Sequence, residues 1–188
     1  MNSREALVRT HRWLRRHGLN DSHSGNASVR EGDDFWITPT GACADSLEAD
    51  DLVRCPVEGE IPDGASLDAP LHQAVYRRVA DAATVLHSHG PHAIAMTLDG
   101  HDFVPDDFEG RYYFERIPVL DIAFDDYVSE SPRRVAASLA RFPVCVVRGH
   151  GVYVCAPNLD LAYKRTCSFE SSARLSLLGR LAGTLPAR

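Results

Sequence analysis

The chain has 188 residues, with 20 Lys and Arg against 26 Asp and Glu, a formal charge of −6. That length predicts one domain over residues 1–188 with enough chain for a substantial core. The negative charge excludes a broad basic face for nucleic acid or anionic membrane, and 44% hydrophobic with 24% charged residues is globular composition, not disordered.

Ser3 predicts the cap of a first helix over 4–17, with Ala6, Leu7, Trp13 and Leu14 on one side and Gly18 as its stop. Arg9 and Arg15-Arg16 interrupt its apolar residues, so it is not a signal-peptide core. No run of 18 apolar residues predicts a membrane span. Residues 20–26 read as a loop. Strands are expected over 27–30 and 35–38, followed by a turn at Thr38-Pro39-Thr40-Gly41. Pro56, Gly59, Pro62 and Gly64 predict an irregular surface segment over 55–65. A helix starts near Asp68, with Pro70 in its first turn and Leu71, Ala74, Val75 and Val79 as one buried stripe. Residues 84–88 are a strand leading into His87-Ser88-His89. Residues 101–116 show no clear pattern. A strand follows at 117–120, and Ser131-Pro132 opens a helix with Val135, Ala136 and Leu139 as its core face. Strands over 143–147 and 152–155 flank Arg148-Gly149-His150-Gly151. Asn158 caps a last long helix ending near Gly183.

Hairpin-like pairs mixed with helices predict an α/β fold with a mixed or mainly antiparallel sheet covered by helices. No Gly-x-Gly-x-x-Gly follows the first strand, which argues against a dinucleotide-binding domain. The five cysteines are odd in number and lack C-x-x-C, so they read as reduced cytosolic thiols, several of them in the core.

Chemistry is concentrated in the nine histidines. His87 and His89 stand at i and i+2, so on an extended chain both leave one face and can converge on a metal. His150, between two glycines, is the candidate third ligand. Three neutral imidazoles with an open position form a catalytic zinc arrangement; the alternative is two polar residues at a strand end. His92 reads as a supporting polar residue. His11, His17, His23, His72 and His101 read as surface or capping residues. Asp68 is either a helix cap or a carboxylate near the metal able to shuttle a proton. The turn at 38–41 is either an ordinary turn or, with Asn26, a phosphate cradle of hydroxyl, amide and backbone N–H donors.

Six stretches in order carry a resemblance: residues 24–30 (SGNASVR), 37–41 (ITPTG), 68–72 (DAPLH), 87–89 (HSH), 117–119 (IPV) and 148–152 (RGHGV). The chain resembles the class II aldolase/adducin family of zinc-dependent sugar-phosphate aldolases and epimerases, from about residue 5 to 180. The resemblance implies a three-layer helix-sheet-helix sandwich with a mainly antiparallel central sheet. It implies a homotetramer with active sites at subunit interfaces; the reduced cysteines and the interrupted N-terminal apolar run place the expected protein in the cytoplasm. His87, His89 and His150 fall on the metal ligands, for Zn2+ or for Mn, Fe or Co. Asn26, Thr40, Gly41 and Ser66 fall on residues that hold the substrate phosphate. Asp68 falls on the acid/base carboxylate. Leu67 replaces a second serine of the phosphate site. The given sequence stops near 188, short of the family's C-terminal tail, so a neighbouring subunit is expected to close the site; Tyr112 and Tyr113 are candidates to supply a phenol across that interface.

The expected reaction is retro-aldol cleavage of a ketose 1-phosphate to dihydroxyacetone phosphate and an aldehyde through a metal-stabilised enediolate. Epimerisation, dehydration or decarboxylation of a phosphorylated sugar or sugar acid is the alternative within the family. A non-catalytic, adducin-like assembly module is the third, which loss of the metal histidines would mark; all three are present here.

Overall fold

The structure, a computed structural model, describes residues 2–186. Its helices are α1 (Ser3–Arg16), α2 (Ala69–Arg78), α3 (Pro91–Ala95), α4 (Phe108–Tyr113), α5 (Tyr127–Leu139) and α6 (Leu159–Leu181). Its strands are β1 (Asn26–Glu31), β2 (Asp34–Ile37), β3 (Val53–Pro56), β4 (Thr84–Ser88), β5 (Val119–Leu120), β6 (Val144–Val147) and β7 (Gly151–Ala156). They form one sheet in the order β3-β2-β1-β4-β7-β6-β5. Every neighbouring pair is antiparallel except β5 with β6.

Alternation along the strands sends side chains to two faces, and each face buries its own helices. Phe35, Val85, Cys145 and Val147 pack with Leu71 and Val75 of α2 and Val135 and Leu139 of α5. Val29, Leu86, Val146 and Val154 pack with Leu7 of α1 and Phe169 and Ala173 of α6. The three-layer sandwich expected from the sequence is therefore the observed architecture. No helix among the described residues is long and apolar enough to cross a membrane. All five cysteines are free, and Cys55, Cys145 and Cys155 are buried.

Several boundaries differ from the expectation. Asn2, not Ser3, caps α1: its side chain accepts from Glu5 N–H at 2.9 Å while the Glu5 carboxylate accepts from Asn2 N–H at 3.2 Å. Part of the segment expected to be irregular is the edge strand β3, whose Pro56 is tolerated because one side of an edge strand needs no ladder donor. Helix α5 begins at Tyr127 and runs through Pro132. Ser131-Pro132 imitates a helix start, but packing of this segment against α2 carries the helix through it.

His11 and His72 are fully buried, contrary to the surface reading. His72 is hydrogen-bonded through Nδ1 to Ser28 Oγ at 2.7 Å. His11 lies on the inner face of α1 with neither ring nitrogen paired among the described residues, and burial lowers its pKa to about 4. The unfolded chain, with a histidine pKa near 6.5, then binds more protons than the folded one between those values. Stability is therefore full at pH 7 and falls as pH drops from about 6.5 towards 4, by about 3 kcal/mol from this residue. In His11→Gln that contribution disappears. Urea unfolding at pH 7 and pH 4.5 should show a loss about 2 kcal/mol smaller in the variant than in the parent; equal losses would refute the assignment.

Candidate metal centre

In antiparallel pairs, residues directly opposite one another project to the same face. Asn26 of β1 stands opposite His87 of β4, and His87 stands opposite Tyr153 of β7. This row faces α2 and α5. His89 continues the row beyond β4, its backbone N–H held by Asn20 Oδ1 at 2.9 Å and by the Leu19 carbonyl at 2.7 Å. His150 comes from the turn between β6 and β7, where Gly149 has φ +68°. A Cβ on the next residue, Gly151, would lie 2.6 Å from His89 Cδ2 and 2.8 Å from His87 Cε1. Only glycine lets β7 approach the histidine pair this closely.

His87 Nε2 lies 2.9 Å from His89 Nε2 and 3.0 Å from His150 Nε2. One ligand atom from each ring falls within 4.8 Å of the others. The Val152 carbonyl can only accept, so His87 Nδ1, 3.1 Å away, carries the proton and leaves Nε2 a free lone pair. Burial lowers the pKa of all three, that of His87 well below the usual histidine range. Neutral imidazoles whose ring nitrogens meet at one point are the donor set of a divalent metal site with open positions, so these residues fit such an ion.

Asp68 precedes α2, yet its side chain makes no capping bond. Its buried carboxylate turns to the histidines instead, with Oδ2 3.9 Å from His87 Nε2. Oδ2 accepts from Asn26 Nδ2 at 2.9 Å and from the Tyr153 hydroxyl at 3.2 Å; Oδ1 accepts from the Tyr127 hydroxyl at 2.6 Å. Burial pushes its pKa up, but His87 and the hydrogen bonds from Tyr127 and Asn26 pull it down further, and the net shift is downward. The Tyr127 and Tyr153 hydroxyls are hydrogen-bonded to each other. Tyr153 stacks on His87 with ring centroids 4.1 Å apart and planes 1° apart, and Tyr127 stacks on His150 at 4.5 Å and 14°.

Neither tyrosine is singled out by the sequence. Tyr153 is legible once the β4–β7 register pairs it with His87. Tyr127 is the first residue of a helix whose start signal, Ser131-Pro132, lies four residues further on. The structure brings Asn26 and Ser66 to Asp68: Ser66 Oγ accepts from Asp68 N–H at 3.3 Å. Thr40 and Gly41 lie on the adjoining turn, tied to the Ser66 segment by Thr40 N–H to Gly64 O at 3.0 Å and Ser66 N–H to Thr38 O at 3.2 Å. Leu67, 63% exposed, stands between Ser66 and Asp68. Tyr112 and Tyr113 sit on α4, on the α6 side of the sheet, and do not join the cluster within this chain. His92 Nδ1 pairs with Glu170 Oε1 at 2.6 Å, outside the histidine triad.

The Class II Aldolase and Adducin N-terminal domain family matches residues 5–177. The chain belongs to this family. Among its class II relatives, an L-fuculose phosphate aldolase of Methanocaldococcus jannaschii is 27% identical over 160 residues, 84% of this chain and 86% of the relative. A methylthioribulose-1-phosphate dehydratase of Gluconacetobacter diazotrophicus is 31% identical over 181 residues, 87% of each chain. The crystal structure of an L-fuculose-1-phosphate aldolase from Thermus thermophilus matches with a TM-score of 0.90 and 33% identity, covering 100% of both chains. Class II aldolases are typically metal-dependent, and the histidine triad gives this member a cluster able to hold an ion.

Proposed function

We propose that the chain is a zinc-dependent aldolase that cleaves a ketose 1-phosphate to dihydroxyacetone phosphate and an aldehyde. The observation that carries this reading is the convergence of His87, His89 and His150 beside the hydrogen-bonded carboxylate of Asp68. The three imidazoles would hold the ion; they suit Zn2+ and also Mn, Fe or Co. When bound, the dication supplies a Lewis acid for the ketone and for the charge that develops as the C3–C4 bond breaks.

The cleavage moves one proton from the C4 hydroxyl to C3. Asp68, ionised in the resting site, accepts that proton and returns it at carbon. Asn26 Nδ2 is committed to Asp68, because the reversed amide would set its carbonyl against a carboxylate. Asn26 Oδ1 is buried with no donor among the described residues, and a substrate hydroxyl is its partner in this reading. Ser66 Oγ, the Thr40 hydroxyl and the Gly41 N–H take the phosphate. The molecule assembles as a homotetramer whose neighbouring copies close each site. The exposure of Phe108 (88%) and Phe124 (94%) supports a covered surface, and Phe124 lies three residues from Tyr127.

The test is metal analysis of the purified protein, its sedimentation, and a screen of ketose 1-phosphates for dihydroxyacetone phosphate. Stoichiometric metal, a tetramer and release of that product from at least one ketose are expected. Metal-loaded protein that releases none, but dehydrates a methylthio- or deoxy-pentulose 1-phosphate, moves the assignment to a dehydratase, the activity named for the Gluconacetobacter relative. Protein that takes up no metal and turns over neither class overturns the enzymatic reading.

A further inference from the structure

We propose that Tyr127 is a positioning residue for both halves of the centre, its hydroxyl fixing the Asp68 carboxylate and its ring fixing His150. The part concerning Asp68 rests on the proton-transfer role given above; the part concerning His150 does not.

The observations separate the two tyrosines. Tyr153 is fully buried within the sheet, so its hydroxyl needs a partner whatever the site does. Tyr127 is half-buried at the start of α5, where a phenol is free to turn to water. It turns inward instead. Its single proton goes to Asp68 Oδ1 at 2.6 Å, which leaves the Tyr153 proton to be shared between Tyr127 Oη and Asp68 Oδ2. Asp68 is thereby held at both oxygens: Tyr127 on one, Asn26 and Tyr153 on the other. This fixes the carboxylate plane with Oδ2 on the histidine side. Of these three donors, only Tyr127 approaches from a helix instead of the sheet.

The ring has a second task. His150 stands on a turn between two glycines, and among the described residues its ring makes no hydrogen bond to an atom outside the histidine triad. His87 has the Val152 carbonyl to set its plane, whereas His150 has the face of Tyr127 at 4.5 Å. Stacking confines the imidazole plane while leaving both ring nitrogens available.

Two variants separate the tasks. Tyr127→Phe keeps the ring and removes the hydroxyl; Tyr127→Leu removes both. Metal affinity is measured by competition with a chelator, kcat and KM on metal-loaded enzyme, and the Asp68 side-chain torsions in crystals of Tyr127→Phe. For Tyr127→Phe, metal affinity and KM should stay within about twofold of the parent. Its kcat should fall about tenfold or more, with Asp68 rotated off its present orientation. For Tyr127→Leu, metal affinity should also weaken about tenfold or more. Unchanged kcat with unmoved Asp68 in Tyr127→Phe overturns the hydroxyl role. Unchanged metal affinity in Tyr127→Leu overturns the ring role. A parallel loss of metal, KM and melting temperature in both variants shows a merely structural residue and overturns both. If no substrate is found for the parent, the affinity and the crystal measurements still decide the proposal, while only the functional reading has failed.

Discussion

His89→Ala is expected to lose its bound metal on dialysis and to lose turnover by roughly a thousandfold or more. A divalent ion contributes several kcal/mol of transition-state stabilisation in chemistry of this kind, and about 4 kcal/mol corresponds to that factor. The fold should survive the substitution. His89 lies just past β4, and the bonds that hold this stretch run through its backbone N–H to Asn20 and Leu19. Alanine retains those. The ring itself touches His87 and His150, and its removal leaves His87 Nε2 the His150 ring as a hydrogen-bond partner in the metal-free protein. Thermal melting checks this directly. Added zinc should raise the melting temperature of the parent, because the ion binds only the folded state, and should leave that of His89→Ala almost unmoved. A variant that keeps stoichiometric metal would remove His89 from the ligand set.

The parts of this centre that were legible in the sequence are those set by local periodicity. Two histidines two apart on a β-branched strand leave one face wherever that strand sits in the sheet. A histidine between two glycines announces a sharp turn, and Leu71, Val75 and their neighbours state the buried side of α2 from spacing alone. What was illegible depends on partners distant in sequence. Tyr153 joins the centre only because β7 pairs with β4 in a register that sets it against His87. Tyr127 joins because α5 packs on α2 and starts before the Ser131-Pro132 signal. Helices α3 and α4, of five and six residues, are too short to show a hydrophobic period. His11 and His72 read as surface or capping residues because each stands alone, with no second histidine at ligand spacing. Here each sits within an apolar stripe, one of them paired to a buried serine of β1. The resemblance named the Asp68 carboxylate, while spacing left it undecided between a cap and an acid/base group. The geometry shows why both readings arose: the residue occupies the cap position and turns its oxygens elsewhere.

Asp68→Asn separates that carboxylate from the metal site most cleanly. The substitution conserves shape and removes the ionisable oxygen. The three donors now aimed at Asp68 do not have to be stranded. Asparagine keeps one oxygen for Asn26 Nδ2 and presents its NH2 group to Tyr127, whose hydroxyl can rotate to accept. Buried polar groups stay paired, so the melting temperature should change little. Metal affinity should also hold, because the carboxylate lies 3.9 Å from His87 Nε2 and is not one of the convergent ligand atoms. Turnover should nonetheless fall by about 10²- to 10⁴-fold, the usual contribution of a positioned acid/base group. KM should move far less than kcat, since Ser66, Thr40 and Gly41, the residues proposed to take the phosphate, are untouched. The pairing of retained metal with lost kcat is the discriminating result. Normal turnover in a folded, metal-loaded Asp68→Asn protein would return the residue to the helix start and leave the proton to another group. Among the described residues the hydroxyls that touch Asp68 are those of Tyr127 and Tyr153, and burial beside Asp68 raises the pKa of both. A phenol so placed can donate a hydrogen bond but is a poor acceptor of a substrate proton, which is why the carboxylate carries the assignment.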